Sequence, residues 1–218
     1  MAAGLRYKWT GTVIAILTAF AVDSPANAIT AVTNANPAVV TDAGHNLVDG
    51  SVIKIAGVVG MTELNGGTFV VNVLSSSTYE LVGVDSTGYG AWASGGTYTI
   101  ATFSNWCELT NYNRTGGSSP EIPATTICSV ATEYEIGLPD FGTTQMDFNF
   151  APQSPIQLAI AAGYAAGTIT AVKVVLPNSG GTMVQLGFIQ QTSEQAGNGG
   201  LWSASLTMRN TGNRVDFA

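Results

Sequence analysis

Two glutamates, Glu133 and Glu135, stand one residue apart in the stretch ATEYEIG. On an extended chain that spacing puts both carboxyl groups on one face, about 7 Å apart. Acid pairs at such separations hydrolyse glycosidic bonds. Those pairs, however, usually come from different elements facing across an aromatic cleft, and no facing element is legible, so the two acids read as a solvated sheet face. His45 is the only histidine and lies in the turn-like DAGHNLVDG. With no G-x-S-x-G nucleophile motif beside it, it reads as a structural or exposed side chain. The glycines of GVVGMTELNGG lack the Lys-Ser/Thr of a phosphate loop and lead into no helix. Cys107 and Cys128 have neither a CxxC spacing nor a histidine nearby, so zinc is not supported; one bridge and two free buried thiols both fit. The sequence therefore predicts no catalytic residue, no metal site and no cofactor: a protein that is not an enzyme.

The elements around these residues are strands. Between Ala28 and Thr102, AITAVT, AVVT, SVIKIAG, GTFVVNVL, TYELVGV and GTYTIA are short runs rich in Val, Ile, Thr and Tyr. They are separated by NANP, DAGHNLVDG, ELNGG, SSS and DSTGYG, which is turn chemistry, and together they predict a small all-β module. After Phe103 the runs alternate. Glu133 and Glu135 oppose Tyr134 and Ile136, while Gln145, Asp147 and Asn149 oppose Met146, Phe148 and Phe150. Period two with one polar face predicts sheets packed on one side only. ITAVKVVL, TMVQLGFIQ and LWSASLTMRN continue the series. One helix interrupts it in QSPIQLAIAAGYAAGTI, with Ser154 as N-cap, Pro155 at the first helical position and Gly167 closing the end. No heptads or internal repeats are present.

The chain has 218 residues, a formal charge of −7 and a pI near 4.4, which argues against a surface that grips nucleic acid through Lys and Arg. Only 10% of residues are charged, against roughly 25% in ordinary soluble domains. Mean hydropathy is +0.25, yet the apolar run from Thr12 to Val22 is too short to span a bilayer. A chain of this kind either covers much of its surface with other protein or relies on Ser, Thr, Asn and Gly for solubility. The opening MAAGLRYKWTGTVIAILTAFAVDSPANA has the layout of a secretory signal, with Arg6 and Lys8 as basic start and Ala26-Asn27-Ala28 as cleavage pattern. The alternative, which we favour, reads GTVIAILTAF as a first core strand.

Two resemblances set expectations. The stretches ITAVTNANPAVVTDAGHNLVDGSVIKIAGVVGMTELNGGTFVV and YELVGVDSTGYGAWASGGT resemble the small β domain named after the first catalytic-cysteine half-domain of ubiquitin-activating enzymes, a frequent insert in phage virion proteins. The segment holds no cysteine, so no ubiquitin chemistry is carried over. The stretch CELTNYNRTGGSSPEIPATTICSVATEYEIGLPDFGTTQMDFNF, followed by the helix and alternating strands, resembles the tail tube (major tail) protein of long-tailed phages.

The resemblance implies a mostly-β fold: a tail-tube-type β-sandwich or barrel with one flanking α-helix, plus an inserted small all-β domain. The tube domain would comprise residues 1–27 and 104–218, and the insert residues 28–103 on the outer surface. It further implies a virion protein of the phage tail, assembled in the host cytoplasm. Six copies would form homohexameric rings that stack into a channel, with tape measure, tail terminator and distal tail proteins as partners and DNA as transient cargo. In that setting Glu133, Glu135 and Asp147 are expected to face the lumen and repel phosphates. Tyr134, Ile136, Met146, Phe148 and Phe150 are then expected in the core of the tube sheet. Rival readings are a secreted two-domain adhesin or carbohydrate-binding module, and another virion part such as a tail terminator or decoration protein.

Overall fold

The computed structural model describes residues 6–21 and 28–218. The fold is mostly β, with a single α-helix and one large antiparallel sheet. The strands in chain order are β1 (Val13–Ala21), β2 (Ala31–Val32), β3 (Ala38–Thr41), β4 (Val52–Val59), β5 (Thr68–Ser75), β6 (Thr78–Leu81), β7 (Ser94–Asn105), β8 (Leu109–Arg114), β9 (Glu121–Pro123), β10 (Tyr134–Ile136) and β11 (Thr143–Asn149). Helix α1 (Pro155–Ala166) follows, then β12 (Ile169–Val175), β13 (Thr182–Gln195), β14 (Ser203–Asn210) and β15 (Val215–Phe217). The sheet order is β2-β3-β6-β5-β4-β7-β1-β12-β13-β14-β11-β8, with β15 pairing β13; β9 and β10 form a separate hairpin.

The first half of that order is a compact unit with its own core. Ile53, Ile55, Leu64, Val71, Tyr79 and Leu81 are among its fully buried side chains. Buried polar groups hold its irregular loops in place. The Ser86 hydroxyl donates to the carbonyls of Thr33 and Ala35 at 2.8 and 2.9 Å, and the Asn65 amide bonds both backbone groups of Val58. These bonds satisfy backbone groups that no strand partner reaches, which is why loops rich in Asn, Ser and Gly can be buried here. Tyr98 donates its hydroxyl to Asp42 at 2.7 Å inside the core. His45 is buried edge-on to Tyr79, a structural histidine.

The second unit packs α1 against β1 and β13. Its core includes Ile16, Val172, Met146, Leu206 and Met208, with Ile156 and Ile160 supplied by the helix. Helix α1 begins at Pro155, whose missing N–H is no loss in the first turn. It ends at Gly167 in the left-handed region (φ 60°), and the N–H groups of Gly167 and Thr168 close the last turn on Tyr164 and Gly163. Ser154 is extended at the N-cap position but makes no side-chain capping bond. Strand β1 lies mid-sheet, bonded to β12 on one side and β7 on the other, with Ile14, Ala15 and Ile16 buried. Removing it would split the sheet; Ala26 and Asn27 of the signal-like pattern lie outside the described residues.

The two units share β7. Its residues 94–100 pair with β4, and residues 100–105 pair with β1. The expected boundary at residue 103 therefore falls inside one unbroken strand. A further apolar cluster lies across the joint, where Val52 and Val70 meet Ala171 and Val184, with Phe103 and Phe217 alongside.

Met146 and Phe148 are buried on α1's side of β11, and Phe150 is partly buried against the same core. Tyr134 and Ile136 are not core residues: they are 58% and 82% exposed on the β9–β10 hairpin. Alternation fixes which side chains share a face, but not whether anything covers that face, and here no sheet stands behind the hairpin. Cys107 and Cys128 are both exposed and unbridged, so neither the bridge nor the buried thiols expected from the sequence is present.

Candidate assembly surfaces

The hairpin that carries Tyr134 and Ile136 is part of an arm that leaves the sheet between β8 and β11. Its base is closed by paired backbone bonds between Ser118 and Asp140, 3.0 and 2.7 Å long. Gly142 makes the return possible: its φ is +78°, and a Cβ there would run into the Thr115 carbonyl. Arg209 anchors the base through a 2.8 Å ion pair to Asp140. Further out, Gly137 donates to Pro120, β9 pairs β10, and Ser129 closes the tip on Thr126. The arm is thus internally bonded along its length. It contributes nothing to the apolar clusters of the molecule.

Its apolar side chains are open to water. Ile127 and Val130 are 103% exposed, Leu138 90%, and Ile122 about half. Exposing so many large apolar groups on one projection is what interaction surfaces do and what solitary proteins avoid. Glu133 and Glu135 lie on this arm, where Glu133 accepts a bond from Ser129 at 3.0 Å.

Asp147 is elsewhere. It lies on β11, on the face opposite Met146 and Phe148. Register aligns it with Asn111 of β8 and Ser205 of β14, and Ser205 with Ser193 of β13. The neighbouring row runs Asn113, Gln145, Thr207, Gln191. Hydrogen bonds knit the first row: Asn111 donates to Asp147 at 2.9 Å, and the hydroxyls of Ser193 and Ser205 are 2.8 Å apart. The two rows are a carpet of amides and hydroxyls with one formal charge. The three acids expected on one face are therefore divided, with one on this carpet and two on the arm. Among the described residues strand β8 ends the sheet and pairs only with β11, leaving its outer edge without a strand partner.

Among the described residues no group of His, Cys, Asp and Glu is placed to hold a metal, and no helix is long and apolar enough to cross a membrane.

Residues 35–101 match the family described as the ubiquitin-activating enzyme E1 FCCH domain. The match ends inside β7. Among solved structures, the chain is similar to one described as the tail of an empty GTA particle computed with helical refinement and C6 symmetry. The identity is 15% and the TM-score 0.43, over 53% of this chain and 87% of the other. No curated protein matches the chain.

Proposed function

We propose that the protein is a structural virion component, the subunit of a phage tail tube, which assembles as stacked hexameric rings around a channel for the genome. The observation that carries this reading is the arm: a well-bonded hairpin whose apolar side chains are covered by nothing among the described residues. Such a hairpin is stable in water only at the expense of exposed apolar area, and a second copy removes that expense. The free edge of β8 adds a row of unpaired backbone groups through which a neighbour in a ring can continue the sheet.

The amide and hydroxyl carpet suits a channel wall. It has no cation with which to hold phosphates, and Asp147 adds repulsion. The unit bounded by residues 28–103, which is joined at the far end of the sheet order from β8, belongs on the outside of such a tube. The low density of charge in the whole chain fits a surface largely covered by copies of itself.

The test is electron microscopy of the purified chain beside a variant in which residues 119–139 are replaced by a two-residue turn across the Ser118–Asp140 bridge. The full chain is expected to form rings or hollow tubes, and the shortened chain to stay monomeric with unchanged melting. A full chain that remains monomeric at the highest attainable concentration overturns the reading.

A further inference from the structure

The arm needs a receiving surface, and the distribution of charge points to one. Between residues 115 and 142 the chain carries Glu121, Glu133 and Glu135 beyond the paired Asp140, and no Lys or Arg. Its receptor should therefore be cationic and apolar together. Most of the cations are already engaged: Arg209 pairs with Asp140, Arg214 with Asp216, and Arg114 donates to buried Gln185. Lys173 is half-buried with its ammonium 5.9 Å from the Phe103 ring centroid. Among the described residues this leaves Arg6, Lys8 and Lys54 outside the ion pairs, the ring contact and the Arg114 hydrogen bond.

Two of those three lie in one short segment, Arg6-Tyr7-Lys8-Trp9, in which Tyr7 and Trp9 are 41% and 53% exposed. The segment borders a groove of about 520 Å³ at the start of β1, lined by Trp9, Val13, Trp106, Cys107 and Leu109 among others. No acid lines this groove, and no residue of the chain's own arm reaches it. Exposed Trp and Tyr flanked by cations, around a depression with an apolar wall, is the composition found at the centres of protein interfaces.

We propose that the arm of one copy docks on this amino-terminal platform of a second copy, Ile127 and Val130 entering the groove while Glu133 and Glu135 meet Arg6 and Lys8. The proposal rests on the reading of the chain as a self-assembling subunit and names the contact that joins the subunits. It also juxtaposes two thiols from different copies. Cys128 stands between Ile127 and Val130 at the arm tip, Cys107 lines the groove, and both are exposed.

The experiment uses the full chain, prepared as an equal mixture of isotope-labelled and unlabelled protein, treated with a short bismaleimide and digested for mass spectrometry. The expected product is a Cys107–Cys128 linkage between labelled and unlabelled chains. Its yield should fall about tenfold or more when like charges are placed opposite each other by E133K/E135K. It should return when R6E/K8E is added to that variant. Far-UV circular dichroism checks that each variant stays folded.

Only Cys128–Cys128 linkages, no linkage, or a loss that the charge exchange does not restore overturns the docking. Tubes seen by microscopy without the Cys107–Cys128 linkage leave the tube reading standing and remove this contact. The linkage with charge-exchange rescue, in a chain that never forms rings or tubes, keeps the contact and removes the tube.

Discussion

The chain makes two excursions from its second unit, and they are built on opposite principles. The first, which returns along β7, surrounds its own apolar cluster and buries Tyr79, Tyr98 and Leu81 within it. The second, the arm between β8 and β11, is held by hydrogen bonds and the Arg209–Asp140 ion pair, with no apolar cluster of its own, and turns its apolar side chains outward. Both carry large apolar residues among Gly and Ser, so the presence of apolar side chains does not separate them. What separates them is whether the apolar face closes on itself. An excursion that closes is a finished unit; one that does not leaves its apolar face to water.

The largest expected effect tests that difference directly. Leu81 is fully buried in the closed unit, so L81A should lower stability by about 2–5 kcal/mol, the usual cost of emptying a core site. On the arm, I127A should change monomer stability by no more than about 0.5 kcal/mol, as at other open surface positions. Denaturant unfolding of the two variants measures both, and a large loss in I127A would mean that the arm is packed after all.

A smaller effect should appear in alkali. Burial, with Tyr98 and Asp42 beside it, raises the pKa of the Tyr79 hydroxyl well above its ordinary value of 10.0. The folded state therefore holds this proton more tightly than the unfolded chain does. Its contribution to stability is complete below about pH 10 and is lost as pH rises beyond it. Unfolding followed from neutral to strongly alkaline pH should show that decline in the wild type and a reduced one in Y79F.

The smallest effect concerns the sheet unit on which both excursions stand. A Cβ at Gly163 of α1 would meet only Ile189 and Thr168, at 3.8 and 3.9 Å. G163A should therefore stabilise the helix by about 0.5–1 kcal/mol. Calorimetry should show a modest rise in melting temperature with no change in assembly, since neither excursion is touched.

The closed excursion was legible because Val, Ile and Thr runs were bounded by Asn, Gly and Ser turns; every one of its expected strands is present. Helix α1 was legible for a similar reason, through Pro155 at its start and Gly167 at its end. Strand β8 was not, because LTNYNR is an edge strand with only Leu109 and Tyr112 turned inward. Strand β9 escaped because it is three residues long and ends in Pro123. The pairing of Tyr134 with Ile136 was read correctly as one face, yet period two holds equally for a covered sheet and a bare hairpin. Arg6 and Lys8 were visible from the start, but as the basic opening of a signal; their lack of ionic partners emerges only when every other cation is accounted for in space. A change of pattern was legible after Phe103, but the hand-over from β4 to β1 at residue 100 left no mark, because a strand that serves two units contains no turn there.

That shared strand has a mechanical consequence. Tension applied to the first unit along β7 runs parallel to the strand and reaches β1 through six residue pairings from Ile100–Ala21 to Asn105–Ala15. They resist as a group in shear, whereas bonds pulled crosswise at one end would give way in sequence. Load carried along β7 from the first unit therefore passes directly into β1 at the middle of the sheet.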